Sequence, residues 1–214
     1  TIRNVDVLLI NNIPKNSQLH KIDLIKDSTN KKYESISPYI EIKNKTIDEL
    51  KMQWSKSHRG DVVRQNKRIE KSGSFVVKDI KDKEECIRLT KDLLYNHSIQ
   101  WGKKYNKDYS KNYLFLKNLI NYFFDSGSIS LTILYLNDDP ISYHFGFLYS
   151  NRFYWYKPTY NYQYSNFSPG KVHIYKLIEK GCNNNWNIFD LLIGDENYKF
   201  LWTADSIFLD NYII

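Results

Sequence analysis

The stretch from Phe167 to Trp202 limits this chain more than any other. It opens with Phe167-Ser168-Pro169-Gly170-Lys171. Proline is tolerated in the first turn of a helix, because amides there have no helical partner. Val172, Ile174, Tyr175, Leu177 and Ile178 then supply the apolar side of a helix. Gly181 stands where a residue of positive φ ends such a helix. Ile188 to Ile193 is a short apolar run suited to a buried strand. A polar turn, Gly194-Asp195-Glu196-Asn197, follows, and then Tyr198-Lys199. The order is loop, helix, strand, polar turn. Free amides and the positive dipole end make the helix start a place for an anion. Ionisable groups gather at the strand end.

Ser168-Pro169-Gly170 before a helix, then Phe189-Asp190, Gly194-Asp195 and Tyr198-Lys199, together resemble a known pattern. It is that of the GNAT-superfamily acetyltransferase domain in proteins of the cellulose-biosynthesis (CelD-like) type, which is related in fold to the Fem transferases. The resemblance spans residues 55–205, and Gly194 to Lys199 is its most specific part. It implies an α/β (α+β) fold, a mixed, mostly antiparallel sheet flanked by helices. It makes residues 46–214 a C-terminal GNAT-like domain and residues 1–45 the end of a truncated N-terminal GNAT-like half. The chain opens on Thr1 and holds its one methionine at Met52, which fits a fragment. The implied activity is N-acyl transfer from an acyl-CoA, with acetyl-CoA as donor. The implied acceptor is an amino group, such as an amino sugar of a polysaccharide precursor. Two other readings stay open: Fem-like aminoacyl transfer from charged tRNA, and a binding module that has lost catalysis.

The chain has 214 residues, 42% hydrophobic and 16% aromatic, enough to bury the core of one large domain. Its net charge of +7 favours an anionic ligand, such as a phosphorylated cofactor or a sugar nucleotide. A nucleic-acid reading is weaker, because Lys, Asn, Ile and Tyr crowd the whole chain as a compositional habit. Cys86 and Cys182 lie far apart without His or Cys neighbours, so two reduced thiols are expected rather than a disulfide. His20, His58, His97 and His173 show no metal-ligand spacing, and no metal is expected. No apolar run approaches the length of about eighteen residues that marks a membrane span. No signal peptide opens the chain, and a cytoplasmic location is expected. Walker, Rossmann and Gly-x-Ser-x-Gly patterns are absent.

In chain order, residues 4–13 read as a buried strand ended by Pro14, residues 16–25 as a short helix and 27–34 as a turn. Tyr33 to Ile42, interrupted by Pro38, suits an edge strand or an extended segment. Thr46 and Glu49 form a capping box for a helix reaching about Ser57. A basic helix, Lys56 to Lys71, ends at Ser72-Gly73. It is either a neighbour of a phosphate-bearing ligand or a solvated face. A strand follows at Phe75–Ile80, then a helix capped by Asp82 with Ile87, Leu89, Leu93, Leu94 and Trp101 on its stripe. Gly102 to Asp108 reads as a loop, and Ser110 as the cap of a third helix that Gly127 ends. Three strands come next, at 129–136, 141–149 and 152–157, joined by turns at Asn137-Asp138-Asp139 and Ser150-Asn151. Ile207 to Ile214 makes a last strand.

Acyl transfer from a thioester needs a neutral amine, a group that takes its proton and an acid near the departing thiolate. The resemblance places the cofactor between the strands Arg152–Lys157 and Ile188–Leu192, with Tyr156 beside it and the pyrophosphate at Phe167, Ser168, Pro169, Gly170 and Lys171. This loop has fewer glycines than the usual GNAT loop, Pro169 removes a donor, and Lys171 adds a charge. Tyr198 follows the fifth strand, where many GNAT enzymes hold the tyrosine that protonates the thiolate; it is also one of 18 tyrosines. Asp195 and Glu196 are base or amine-binding candidates, or plain turn residues. Asp190 lies within an apolar strand, so it needs a partner, for which Lys199 and Lys171 qualify. Asp190, Lys199 and Tyr160 are the substrate-side candidates. His144, beside Ser142 and Gly146 on one strand face, either lines a cleft as a base or sits satisfied in the core.

Overall fold

The computed structural model describes residues 9–22, 33–105 and 109–213. In chain order its elements are β1 (Leu9–Pro14), β2 (Tyr33–Glu41), α1 (Ile47–Gln53), α2 (Lys56–Ser72), β3 (Phe75–Asp79), α3 (Lys83–Tyr105) and α4 (Tyr109–Phe123). Then follow β4 (Ile129–Leu136), β5 (Asp139–Tyr149), β6 (Arg152–Tyr160), α5 (Pro169–Asn183), β7 (Ile188–Asp190) and β8 (Ser206–Ile213). They form two compact units, Glu41–Phe189, and Thr1–Ile40 with Asp190–Ile214.

The larger unit is a mixed α/β layer structure. Its strands pair antiparallel in the order β6-β5-β4-β3. The two hairpin turns place Asn137 and Asp138 at φ 50 and 69, and Ser150 and Asn151 at φ 50 and 57. Positive φ at both central residues is what a two-residue turn needs to match strand twist. Along β4 and β5, Leu131, Ile133, Tyr143 and Phe145 pack under Leu89 and Leu93 of α3 and Leu116 and Ile120 of α4. The intervening Leu134 and Leu136 face Ile69 of α2 and Val172 of α5. Helices therefore cover both faces, which is why these strands read as nearly unbroken apolar runs. After α5 the chain returns to the sheet, and the Asn187 N–H donates to the Asn151 carbonyl at 2.7 Å, so β6 and β7 start side by side.

Several boundaries differ from expectation for local reasons. The capping box forms, with the Glu49 carboxylate accepting the Thr46 amide at 2.7 Å. The helix it starts stops at Gln53, because Ser55 Oγ accepts the His58 amide at 3.2 Å and begins α2. Asp82 caps α3 as expected, taking the Glu85 amide at 2.7 Å. The helix α3 then runs through Gly102 to Tyr105 instead of turning into a loop. A helical glycine costs only about 1 kcal/mol relative to alanine. Residues 106–108 lie outside the described residues. Ser110 falls inside the first turn of α4, not at its cap. Gly181 lies within α5, and Asn185 takes the left-handed φ of 55 instead. A side chain at Gly181 would put its Cβ 2.7 Å from both Ile42 Cδ1 and Trp186 Cε3. Close packing, not turn geometry, demands that glycine. Cys86 and Cys182 are both free thiols.

The smaller unit pairs β1 and β2 on either side of β8, antiparallel throughout. β2 is not an edge strand. Its far side accepts the Leu191 amide on the Pro38 carbonyl and the Gly194 amide on the Ile36 carbonyl, both at 2.9 Å. Pro38 fits because the donor it lacks would point to that irregular side, where Leu192 and Gly194 have φ 59 and 130. The helix expected at 16–25 shrinks to one turn at Gln18–Lys21, and residues 23–25 lie outside the described residues. Of the first strand, residues 4–8 lie outside them too, as do residues 27–32 of the expected turn, while Tyr33 and Glu34 already belong to β2. No helix among the described residues is long and apolar enough to cross a membrane.

Candidate functional site

In the larger unit the expected anion site is the start of α5. Ser168 holds a left-handed backbone, φ 50 and ψ 50, which turns the chain into the helix at Pro169. The Ser168 amide donates to the Ser165 carbonyl, and the Lys171 amide to the Ser168 carbonyl, each at 2.9 Å. Pro169 has no amide proton. Among residues 168–171 the Gly170 amide is left for a ligand. Tyr160 borders it, with its ring 3.7 Å from where a Gly170 Cβ would stand. The structure thus brings Tyr160 and Gly170 together.

Two residues of α2 hold this loop. Arg68 donates to the Asn166 carbonyl at 2.7 Å, and its guanidinium lies 5.4 Å from the centre of the Phe167 ring. Asp61 forms an ion pair with Lys171, and Arg64 pairs with the same carboxylate. The Lys171 ammonium bound to it holds the Asp61 carboxyl below its ordinary range, against the opposing effect of burial. The charge that Lys171 was expected to offer a pyrophosphate is therefore already shared with Asp61. Chain distances of 98 and 110 residues separate these partners, so no local pattern could have joined them. The clustered charges of the basic helix were the one visible signal.

Tyr156 lies elsewhere. Its ring packs 5.4 Å from Phe147, on the face covered by α3 and α4, whereas α5 covers the opposite face. The reason is a bulge in β6: Phe145 and Phe147 pair with Lys157 and Tyr154, two steps against three. The extra residue bends the strand.

His144 is fully buried, stacked on Trp155 at 4.0 Å and 5°. Neither of its ring nitrogens has a hydrogen-bond partner among the described residues. It is a core residue without the satisfaction expected of one. His173, on α5, is the satisfied one. Ser142 Oγ donates its proton to the Thr159 carbonyl at 3.1 Å. It must therefore accept from His173 Nδ1–H at 3.0 Å, which leaves Nε2 to accept from Thr132 Oγ1 at 2.9 Å. Burial pushes the His173 pKa down to about 3 and that of His144 well below the usual value.

In the smaller unit the structure gathers Asp190, Asp195, Glu196, Tyr198 and Lys199 into one turn. Lys199 is 3% exposed. Its ammonium donates to the Leu192 carbonyl at 3.1 Å, the Ile193 carbonyl at 2.8 Å and Glu196 Oε2 at 2.9 Å. Three acceptors match three ammonium protons, so the charge is satisfied although buried. Asp190 accepts from the Leu192 amide at 2.8 Å and from Ser37 Oγ at 3.3 Å. Lys199 spends its donors on the turn, and Lys171 on Asp61. Asp195, Glu196 and Tyr198 face outward, Tyr198 at 42%. Lys199→Met removes the donor that ties 192, 193 and 196 together. It is expected to cost about 2–3 kcal/mol in urea unfolding, the worth of the charge-assisted hydrogen bonds that the ammonium makes. Unchanged stability would show that the turn holds without the clamp. No group of three His, Cys, Asp or Glu side chains suited to a metal occurs among the described residues.

This chain belongs to the acetyltransferase (GNAT) domain family, whose model matches residues 56–200. Solved structures share the fold at low identity. A conserved protein of unknown function from Bacteroides thetaiotaomicron is 12% identical, with a TM-score of 0.65 over 96% of this chain and 68% of its own. FemX is also 12% identical, with a TM-score of 0.62 over 84% of this chain and 61% of its own. The C-terminal domain of a putative lysylphosphatidylglycerol synthetase from Agrobacterium fabrum is 8% identical, with a TM-score of 0.63 over 96% and 67%. The chain thus spans about two thirds of the length of these structures. No curated protein sequence matches it.

Proposed function

We propose that this domain transfers an acyl group, acetyl in the simplest case, from acyl-CoA to an amino group. Membership of the acetyltransferase family carries the reading. The start of α5 supports it: a free Gly170 amide on a loop that Arg68 holds in place. In this reading Phe167 to Lys171 take the pyrophosphate, Tyr198 protonates the thiolate, and Asp195 or Glu196 receives the proton of the amine. Tyr160 contacts the substrate. The acceptor is a small amine or an amino sugar of a polysaccharide precursor, as in the CelD-like branch, and the donor sets the reaction in the cytoplasm.

A second reading, aminoacyl transfer from charged tRNA as in Fem transferases, is favoured by one observation. The anion site is sparse, with Pro169 lacking a donor and Lys171 already paired to Asp61. Calorimetric titration with acetyl-CoA separates the two. Saturable binding is expected, weakened at least about a hundredfold by Gly170→Glu, which sets a carboxylate against the phosphates. Tyr198→Phe should leave that binding intact and lower turnover by about 10²–10⁴, the range for a lost general acid. Transfer that depends on tRNA and ignores CoA would establish the second reading instead. Transfer unchanged in both variants would remove these residues from the mechanism.

A further inference from the structure

Lys171 stands in the first turn of α5, where the helix dipole favours carboxylates and disfavours ammonium groups. No acidic residue of that turn answers it. The answer comes from another helix. The Asp61 carboxylate of α2 takes Lys171, Arg64 and, at 3.4 Å, the Gln65 side-chain amide. One carboxylate thus engages the cation next to Gly170 and a second from α2. The pair with Lys171 can open. Lys171 and Asp61 keep 29% and 21% of their side chains exposed, so a ligand in solution reaches both. The loop has other anchors. The Lys171 amide is fixed on the Ser168 carbonyl at 2.9 Å, and Arg68 holds the Asn166 carbonyl and lies against the Phe167 ring. The ammonium can therefore change partners while the backbone stays in place.

We propose that Asp61 sets the affinity of the diphosphate site by competing with the ligand for Lys171, so that acyl donor and spent CoA both bind loosely. The inference rests on the acyl-transfer reading. Donor and CoA carry the same diphosphate, so a contact to it holds substrate and product alike and does nothing for the chemical step. An unopposed lysine beside the Gly170 amide would hold both tightly. With Asp61 in place, each binding event breaks the ion pair and each release re-forms it. An ion pair this exposed is a modest obstacle, which suits a ligand that must come and go.

Calorimetry on Asp61→Asn tests it. The asparagine keeps the shape and an acceptor for Gln65 and loses the charge. It is expected to bind acetyl-CoA, CoA and inorganic pyrophosphate each about tenfold more tightly than the wild type at low salt, a gap that narrows as salt rises. Adding Lys171→Met should remove most of that gain. A carboxylate that merely held the loop in place would give the opposite sign, so weaker or unchanged binding by Asp61→Asn overturns the proposal. So does a gain that survives Lys171→Met whole, which would leave the lysine no part in it. The two readings fail distinguishably. If neither wild type nor Asp61→Asn binds acetyl-CoA, the acyl-transfer reading falls and this inference with it. Wild-type binding that Asp61→Asn does not tighten removes this inference alone.

Discussion

Gly146→Ala should destabilise this protein by about 3 kcal/mol, the upper part of the range for an overpacked core. The added Cβ would stand 2.3 Å from His144 Cε1 and 2.3 Å from the Tyr154 carbonyl oxygen. The first neighbour is a side chain that can move; the second is backbone. That backbone is pinned, since Tyr154 opens the bulged stretch of β6 that pairs with Phe147. A glycine within a strand marks such a close approach. The double variant His144→Ala/Gly146→Ala separates the two contacts. Removing the ring relieves one overlap and leaves the carbonyl, so the clash at position 146 is expected to be only partly relieved. Full additivity of the single losses would mean that the ring contributes nothing to the clash. The measurement is urea unfolding followed by far-ultraviolet circular dichroism.

The same glycine shows how far the residues could be read. From the chain alone, a histidine two residues before a glycine on one strand face suggests an open cleft. The space is in fact filled by the imidazole, which leans back over Gly146 and stacks on Trp155. Rotamer and stacking are tertiary facts, and no spacing encodes them. What depends on nearest neighbours was legible: the caps at Thr46 and Asp82, the two hairpin turns, and the helix started by Pro169. What depends on distant partners was not. The sequence offered Lys199 and Lys171 as partners for Asp190, because an apolar strand must neutralise its carboxylate. The structure sends Lys171 to Asp61 and Lys199 to two carbonyls and Glu196. Pro38 misled in the same way. Proline signals a sheet edge, yet β2 is bonded on both sides, because an irregular neighbour does not require the missing donor.

Between pH 7 and pH 4 the protein should lose stability faster than its surface charge alone would dictate. His144 and His173 are buried and neutral, and both pKa values lie below the model-peptide 6.5, that of His173 near 3. The unfolded chain therefore binds protons near pH 6.5 that the folded chain refuses. Where the unfolded state holds more protons, stability rises with pH. Stability is thus full above about pH 6.5 and falls as pH drops toward the folded values, by about 1.4 kcal/mol per pH unit for each fully buried histidine. His58, also buried and shifted down by burial and by Lys171, adds a smaller share in the same direction. Glu49 and Asp61, shifted below their ordinary 4.5 and 3.8 by the Thr46 hydrogen bonds and by Lys171, add their losses at the acid end, from about pH 5 downward, leaving the window from about pH 6.5 to 5 to the histidines. His144→Phe keeps an aromatic ring on Trp155 and removes one titrating group. Its urea-derived stability should fall by about half as much between pH 6.5 and pH 5, with His173 carrying the remainder. The slope is the test, because the larger ring also presses on Gly146 and shifts the absolute value. An unchanged slope would mean that acid opens the His144 pocket before its imidazole takes a proton.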